Sequence, residues 1–258
     1  IGANVRSTVA TYDGVFDDLR KLFARTADAK AKGLTAGDFS YNTGKLRCPV
    51  CDGTGIITMD VQFLPDVDTI CPSCGGSRYG KDAYDILWKS KEKDSVSVSL
   101  PGLLKLTVEE AAGILHEETK IAKQLKILQD LGVCYLMLGE ATPALSGGEA
   151  QRLKLAYEME TPQQGSVFVF DEPTIGLHPQ DVKKLVLIFD HLIQLGATVI
   201  VIEHDLELVT NCDYIIDMGP WGGTEGGRVV VEGTPEAVAA TSESITGRYL
   251  KQELAEDK

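Results

Sequence analysis

Four of the chain's six cysteines form two pairs, Cys48-Pro-Val-Cys51 and Cys71-Pro-Ser-Cys74, which enclose residues 52–70. Two such pairs at this spacing are typical of zinc bound tetrahedrally by four thiolates. Glycines follow each pair and favour turns in which backbone N–H groups point at sulfur. Because the chain would supply all four ligands, no position is left open for chemistry. The spacing therefore predicts a structural zinc site.

Two apolar segments lead into residues that could act on a phosphate. Residues 167–170 run directly into Asp171 and Glu172, and residues 198–202 run into an acid followed by His204. Acids at the end of a buried strand need a positive partner, and in a nucleotide enzyme Asp171 would bind Mg²⁺. Glu172 could orient or deprotonate the attacking water, and a neutral His204 could contact the γ-phosphate. The structural alternatives are an acid that caps a turn and an ordinary strand-end histidine.

A third candidate is the start of a helix at Ser146. Ser146 and Glu149 have the spacing of a capping box. Gly147 and Gly148 would each cost about 1 kcal/mol of helix propensity in the first turn. Such glycines let another group approach the backbone, and a helix N-terminus offers free N–H groups and a positive dipole to an anion. The sequence predicts a phosphate contact there.

The elements that position these residues follow from the spacing of apolar residues. After residue 145, β-branched segments alternate with amphipathic helices, which predicts an α/β fold with a parallel sheet covered by helices on both faces. Ligands of such sheets bind beyond the carboxyl ends of the strands. A capping box predicts a further helix opening at Thr107, and residues 81–105 are predicted as short strands or loop. The predicted buried strands are 167–170, 198–202, 214–218 and 228–231, and the predicted helices include 15–23, 119–131, 146–157 and 181–195.

Composition limits the functional classes. The chain has 258 residues, a net charge of −13 and 43% hydrophobic residues. An acidic chain is a poor general nucleic-acid coat, so any DNA contact must be local or supplied by another part of a larger protein. No apolar run reaches the ~20 residues of a membrane helix. The start, Ile1-Gly2-Ala3-Asn4, lacks an initiator Met and a signal peptide, so we expect a piece of a longer cytoplasmic protein.

Three motifs together resemble the ABC ATPase superfamily: LSGGEAQR, VFVFDEPT and the histidine after VIVIE. The resemblance implies an ABC-type P-loop NTPase domain that uses ATP and Mg²⁺. It implies that Asp171 binds Mg²⁺, that Glu172 acts on the hydrolytic water, and that His204 contacts the γ-phosphate. The signature residues would grip the γ-phosphate of a nucleotide held mainly by a different half; they are Ser146, Gly147, Gly148, Glu149 and Gln151.

The lysine loop of such ATPases, G-x-x-x-x-G-K-[ST], is not found. We identify Gly44-Lys45 as the nearest fragment, where Phe39 stands in place of the first glycine and Leu46 follows the lysine. We therefore expect ATP hydrolysis only in a longer parent protein and an inactive fragment.

A cysteine module upstream of an ABC signature resembles the UvrA family, with further agreement in Ile1-Gly2, 63–67, 217–220, Gly222-Gly223 and 246–250. The resemblance implies most of the second ABC domain with an inserted four-cysteine zinc module and a helical signature subdomain. The implied parts are 1–47 after the Q-loop, 48–80 for zinc, 81–144 in the helical subdomain and 145–258 for the end of the nucleotide domain. It implies a DNA-damage recognition ATPase of nucleotide excision repair and the SOS response. The implied partners are damaged duplex DNA, a second UvrA-type copy and, through the absent half, a UvrB-like protein; no membrane is involved.

Several alternatives remain open. Differences at 81–105, 157–165 and Asp205 allow a UvrA-like ATPase that protects against DNA-binding drugs. A soluble subunit of a transporter is a second possibility, although an insertion of four zinc-binding cysteines is not expected there. The segment C-P-V-C-D-G-T-G resembles the repeats of DnaJ-type chaperones, which leaves a zinc-dependent binding module as a third. The basic residues near the cysteines are candidate DNA-phosphate contacts; they are Lys45, Arg47, Arg78 and Lys81.

Overall fold

The structure, a computed structural model, describes residues 4–59, 67–91, 96–159, 164–219 and 226–256, with Glu256 described by its backbone alone. It divides into two compact units, residues 1–161 and 162–258. The sequence-based division instead begins its last part at residue 145. Some residues that carry the family resemblance lie outside the described ranges; they are Ile1, Gly2, 63–66, Pro220, Gly222 and Gly223.

The first unit is mostly helical. Its α2 places five apolar residues on one face and buries all of them, which confirms the helix predicted at 15–23. The long helix α6 ends before Gly132, which has φ 69° and closes the helix in the left-handed region. The α-helices are α1 (Val9–Tyr12), α2 (Val15–Ala24), α3 (Ala27–Ala31), α4 (Leu100–Leu103), α5 (Val108–Ile114), α6 (Thr119–Asp130) and α7 (Gly147–Glu158).

Two short antiparallel pairs complete the first unit. Strands β1 (Ile56–Met59) and β2 (Val67–Ile70) form a ladder that lies between the two cysteine pairs in sequence. Strands β3 (Leu87–Lys89) and β4 (Ser97–Ser99) form the other pair. Short 3₁₀ turns occur at Lys81–Ala83 and Thr142–Ala144. Residues 81–105, predicted as short strands or loop, thus contain two short strands and loop segments, together with helix α4.

The second unit is built on a parallel pair. Strand β5 (Val167–Asp171) lies beside β6 (Thr198–Ile202), with Asp171 opposite Ile202. The crossover between them is α8 (Pro179–Gln194). The ring centroid of Phe170 lies 4.9 Å from the ring centroid of Phe189 in this helix. The chain continues through α9 (Leu206–Thr210), β7 (Ile215–Gly219), β8 (Arg228–Gly233), α10 (Pro235–Ala239) and α11 (Ile245–Glu256). The α/β class with a parallel strand pair is confirmed.

Two details of the predicted sheet are wrong. Strands β7 and β8 pair with each other in antiparallel orientation rather than extending the parallel pair. Only residues 220–227 separate the two strands in sequence, whereas a parallel neighbour needs a crossover of roughly a dozen residues or more. The strands β5 and β6 are also not buried on both sides: Val169 is 63% exposed and Ile202 is 56% exposed. Within the described part of the second unit, α8 packs on the face that carries Phe170.

Candidate functional site

The four paired cysteines come together as predicted. Their sulfur atoms all lie within 4.8 Å of one another. The Sγ atoms of Cys48 and Cys71 are 4.0 Å apart, and those of Cys51 and Cys74 are 3.7 Å apart. A tetrahedron with Zn–S bonds of about 2.3 Å has edges of about 3.8 Å. The arrangement therefore fits a zinc ion bound by four thiolates.

Turns in the backbone aim donors at these sulfurs. The N–H of Gly55 donates to the Sγ of Cys51 at 3.3 Å, and Gly55 has φ 81°. Burial opposes the thiolate of Cys48, but the N–H groups of Cys51 and Val50 outweigh it and lower the pKa of Cys48 to about 7. Burial and the neighbouring thiols of Cys71 and Cys51 raise the pKa of Cys74 to about 12. A bound cation would relieve the repulsion among four thiolates in this cluster, and the donor set suits zinc.

Basic residues tie this module to the rest of the first unit. Arg78 is buried, donates to the backbone oxygen of Val5 at 2.9 Å, and places its guanidinium 5.1 Å from the ring centroid of Tyr41. The Nε of Arg47 pairs with Asp52 at 3.0 Å. Arg78 is therefore occupied within the fold, and its assignment as a candidate DNA-phosphate contact is wrong.

A closer match to the lysine loop exists than Gly44-Lys45. Residues 75–81 match the loop through Lys81, although Asp82 stands where the loop has serine or threonine. In the structure Gly75 directly follows the metal-site residue Cys74, and Lys81 opens a 3₁₀ turn. A lysine loop connects a strand to an α-helix. This segment is therefore part of the metal module, and the identification of Gly44-Lys45 as the nearest fragment is wrong.

Ser146 caps the N-terminus of α7 in the first unit, and Gly147, Gly148 and Glu149 lie in its first turn. The N–H of Ser146 donates to the carboxylate of Glu149 at 2.7 Å, and the N–H of Glu149 donates back to the hydroxyl of Ser146 at 3.4 Å. The hydroxyl of Tyr135 donates to the same carboxylate at 2.7 Å. Burial opposes ionisation of Glu149, but these donors lower its pKa overall. The predicted capping box is confirmed, and it fixes the direction of the helix N-terminus.

Gly147, in the first turn of α7, faces open space. A Cβ atom added at Gly147 would meet no atom within 4 Å. Packing among the described residues therefore gives no reason for glycine there. Gly148 lies beside it in the first turn, and Gln151 follows one turn later, half-buried. The turn can accept a group from outside the chain without displacing a side chain.

The second unit brings Glu172 and His204 together. The Nδ1 atom of His204 lies 3.7 Å from the Oε1 atom of Glu172. The side chain of His204 is largely exposed and that of Glu172 is about half exposed, and Asp171 is exposed at the end of β5. Glu172 has φ 47°, an uncommon conformation for a residue other than glycine. Its N–H donates to the backbone oxygen of Ile202 at 2.9 Å, which continues the ladder between the strands.

Glu203 is not among the site residues predicted from the sequence. Its side chain is only 2% exposed, and its carboxylate accepts hydrogen bonds from Thr174, His204 and Asp205. The available signal was an acid at the end of an apolar strand next to a candidate histidine. What the sequence could not show was the proximity of Thr174, which belongs to the loop after β5.

Comparison with known proteins finds relatives that share one name. The chain is similar to the UvrABC system protein A of Staphylococcus aureus (strain COL), at 44% identity over 100% of the chain. It is 46% identical over 98% of its length to the protein of that name from Clostridium acetobutylicum, and 44% identical over 100% to that of Bacillus subtilis (strain 168). The chain spans 26–27% of the length of these curated relatives. No protein-family model matches the chain.

A solved structure supports the same grouping. The chain is similar to UvrA2 from Deinococcus radiodurans, with a TM-score of 0.83 and 42% identity. That similarity covers 98% of this chain and 30% of the solved one. None of the described helices combines the length and apolarity needed to cross a bilayer. By sequence over its whole length and by fold over nearly all of it, the chain belongs to the UvrA family.

Proposed function

We propose that the chain forms part of the ATPase of a UvrA-type protein that recognises damaged duplex DNA in nucleotide excision repair. The observation that carries the proposal is the approach of His204 to Glu172 at the ends of two parallel strands, 3.7 Å apart. The names of the relatives, UvrABC system protein A, support the same assignment. In this proposal the chain acts within a longer cytoplasmic parent protein.

Three residues at the carboxyl ends of β5 and β6 would have different roles in ATP hydrolysis. Asp171, exposed at the end of β5, would hold Mg²⁺, and the metal would neutralise charge on the phosphates. Glu172 would orient the attacking water and accept its proton. His204 would donate a hydrogen bond to the γ-phosphate from the ring that faces Glu172. The exposure of Asp171 and His204 and the partial exposure of Glu172 suit a pocket that is completed by other parts of the parent protein.

The start of α7 supplies the other contact. Ser146, Gly147 and Gly148 would bind the γ-phosphate of a nucleotide held mainly by a different ATP-binding half, with Glu149 and Gln151 supporting that turn. The open space at Gly147 supports this role. The lysine loop would come from a part of the parent protein that precedes this chain. We therefore expect no ATP turnover by the 258-residue chain alone.

The cysteine module would act as a structural zinc site. A zinc ion held by Cys48, Cys51, Cys71 and Cys74 would fix the base of the β1–β2 pair. That pair would orient a neighbouring element that contacts DNA phosphate, and exposed Lys81 is a candidate contact. The parent would form a UvrA-type homodimer and would contact a UvrB-like repair protein through its other half. The four-part division into 1–47, 48–80, 81–144 and 145–258 belongs to this proposal.

Glu172→Gln in the parent protein tests the proposal. We expect loss of ATP turnover with ATP binding retained, because the amide keeps the shape of the side chain but cannot accept the proton. Asp190→Asn, an exposed change in α8, is the matched control and should turn over ATP normally. Unchanged turnover by Glu172→Gln would contradict the proposal.

A cell-based test addresses the biological role. The wild-type parent, but not Glu172→Gln, should restore ultraviolet survival to a cell that lacks its own UvrA-type protein. Restoration of survival against a DNA-binding drug, without ultraviolet survival, would support the drug-protection alternative instead. Restoration of both by Glu172→Gln would favour a binding module that needs no ATP turnover.

A further inference from the structure

We propose that Glu203 is a positioning residue, which holds the loops that carry Glu172 and His204 at the separation needed for ATP hydrolysis. The inference rests on the proposed ATPase function. It concerns a side chain that contacts neither nucleotide nor water in that function and acts through its neighbours. Its basis is a single buried carboxylate that binds both loops.

The two oxygens of Glu203 divide between the two strand ends. Its Oε1 accepts from the backbone N–H of Thr174 at 2.9 Å and also from the hydroxyl of Thr174. Its Oε2 accepts from the N–H of His204 at 2.8 Å and from the N–H of Asp205 at 3.2 Å. One oxygen thus binds the loop after β5, and the other binds the loop after β6.

The chemistry of the contact requires a carboxylate. Four donors converge on two oxygens, and a glutamine in the same place would offer one accepting oxygen and one donating amide. The side chain of Glu203 is only 2% exposed, so water cannot readily replace a lost acceptor. Burial opposes ionisation, but the donors from Thr174, His204 and Asp205 outweigh it and lower the pKa of Glu203. The group therefore remains ionised at neutral pH.

The hydrogen bonds of Glu203 are made to residues close in sequence to Glu172 and to His204 itself. Thr174 lies two residues after Glu172, and His204 directly follows Glu203. Glu172 is held at φ 47°, which a non-glycine residue keeps only when its surroundings fix it. The N–H of Glu172 is bound to Ile202, and Thr174 is bound to Glu203, so this strained residue is fixed on both sides. Loss of the second bond frees the loop to move Glu172 relative to His204.

The first test compares Glu203→Gln with Glu207→Gln in the parent protein. Glu207 lies one helical turn further on and pairs at the surface with Lys183 at 3.3 Å, so it is a matched control. For Glu203→Gln we expect kcat for ATP to fall by about 10- to 100-fold, as displacement of catalytic groups by about 1 Å can cause. The KM for ATP and the number of ATP molecules bound should stay unchanged, since Glu203 contacts no nucleotide. Glu207→Gln should match the wild type in both constants.

Thr174→Val provides a second variant that removes one donor and keeps the backbone bond. It should lower kcat less than Glu203→Gln does, and the double variant should lower kcat no further than Glu203→Gln alone. This variant decides the matter if Glu203→Gln does not fold. A kcat equal to that of the wild type in a folded Glu203→Gln, or in Thr174→Val where the former does not fold, would overturn the inference.

An NMR readout separates this inference from the proposed function. In the 258-residue chain, Glu203→Gln should shift the amide proton signals of Thr174, His204 and Asp205 upfield together, because each loses a charged acceptor. Signals that stay in place would overturn the bridging role whatever the ATPase result. If Glu172→Gln retains full ATP turnover while the three amides shift, the proposed function fails and the bridge stands. If Glu172→Gln loses turnover and Glu203→Gln does not, the function stands and the positioning role fails.

Discussion

The Nδ1 atom of His204 lies 3.7 Å from the Oε1 atom of Glu172, although the two residues follow different strands. The parallel register of β5 and β6 brings them together, since Asp171 stands opposite Ile202 in the ladder. Each side chain is then one or two residues beyond a strand end. The carboxyl ends of parallel strands meet at one edge, where ligands bind in such sheets.

Zinc should be bound by the cysteine module in about one equivalent per chain. Cys71→Ser removes one of four ligands, so the zinc content and the melting temperature should both fall, because metal binding stabilises the fold. Zinc is measured by elemental analysis of the purified chain, and stability by thermal unfolding. Cys134→Ser changes a half-buried cysteine outside the module and serves as the control. Equal zinc in the wild type and in Cys71→Ser would contradict the site.

Asp38 should make the first unit more stable at neutral pH than in acid. Its carboxylate accepts from the N–H and the hydroxyl of Thr35, each at 2.8 Å. These bonds, and then Lys45, hold the pKa of Asp38 below its ordinary value of 3.8. Because the folded-state pKa is lowered, the stabilisation is present above pH 3.8 and is lost as the pH falls through the folded-state value.

The substitution Asp38→Asn tests this linkage. At pH 7 it should lower the free energy of unfolding by about 2 kcal/mol, since the hydrogen bonds to a charged acceptor are weakened. The difference from the wild type should shrink as the pH approaches 3. Denaturant unfolding at several pH values measures it, with the exposed Asp82→Asn as control. A difference that stays constant with pH would show that the charge of Asp38 is not the cause.

Substitution of Arg78 should lower the stability of the fold, whereas substitution of Lys81 should weaken DNA binding by the parent protein. Arg78→Leu leaves the oxygen of Val5 without its donor and removes the contact with the ring of Tyr41, so stability should fall by about 1–3 kcal/mol. Lys81→Ala changes an exposed position and should leave stability unchanged. If Lys81 contacts one DNA phosphate, its loss should reduce the slope of the logarithm of the DNA-binding constant of the parent against the logarithm of salt concentration by about one.

Thermal unfolding and DNA binding at several salt concentrations measure the two effects of these substitutions. A lower salt dependence after Arg78→Leu, with stability unchanged, would assign Arg78 to DNA instead of to the fold.

Features set by neighbours in sequence could be predicted, and those set by distant residues could not. The capping box of Ser146 and Glu149 and the pairs of cysteines depend on short spacings, and the structure has both. The apolar pattern of β7 and β8 does not distinguish a parallel from an antiparallel neighbour, but the short connection between them could have predicted the antiparallel pairing. The exposure of Val169 also could not be predicted, because it depends on what covers the sheet.

The candidate site likewise has features that the sequence predicts and features that only the fold reveals. The motifs predict Asp171, Glu172 and His204 as site residues from residue type and order alone. The bridge from Glu203 to Thr174 depends on two loops that meet only in three dimensions. Arg78 shows the reverse error, because its charge and its place near the cysteines indicate a surface contact whereas the fold buries it.

The most direct test of the account is a double-mutant cycle on ATP hydrolysis by the parent protein, with Glu172→Gln, His204→Ala and both together. Each single change should lower kcat by about 100-fold or more, as loss of a group that acts on the water or the phosphate does. Because the two residues are proposed to act on one reacting phosphate, the double variant should be no slower than the slower single variant, within about threefold. Effects that multiply as if the two side chains worked independently, or a full kcat in either single variant, would contradict the account.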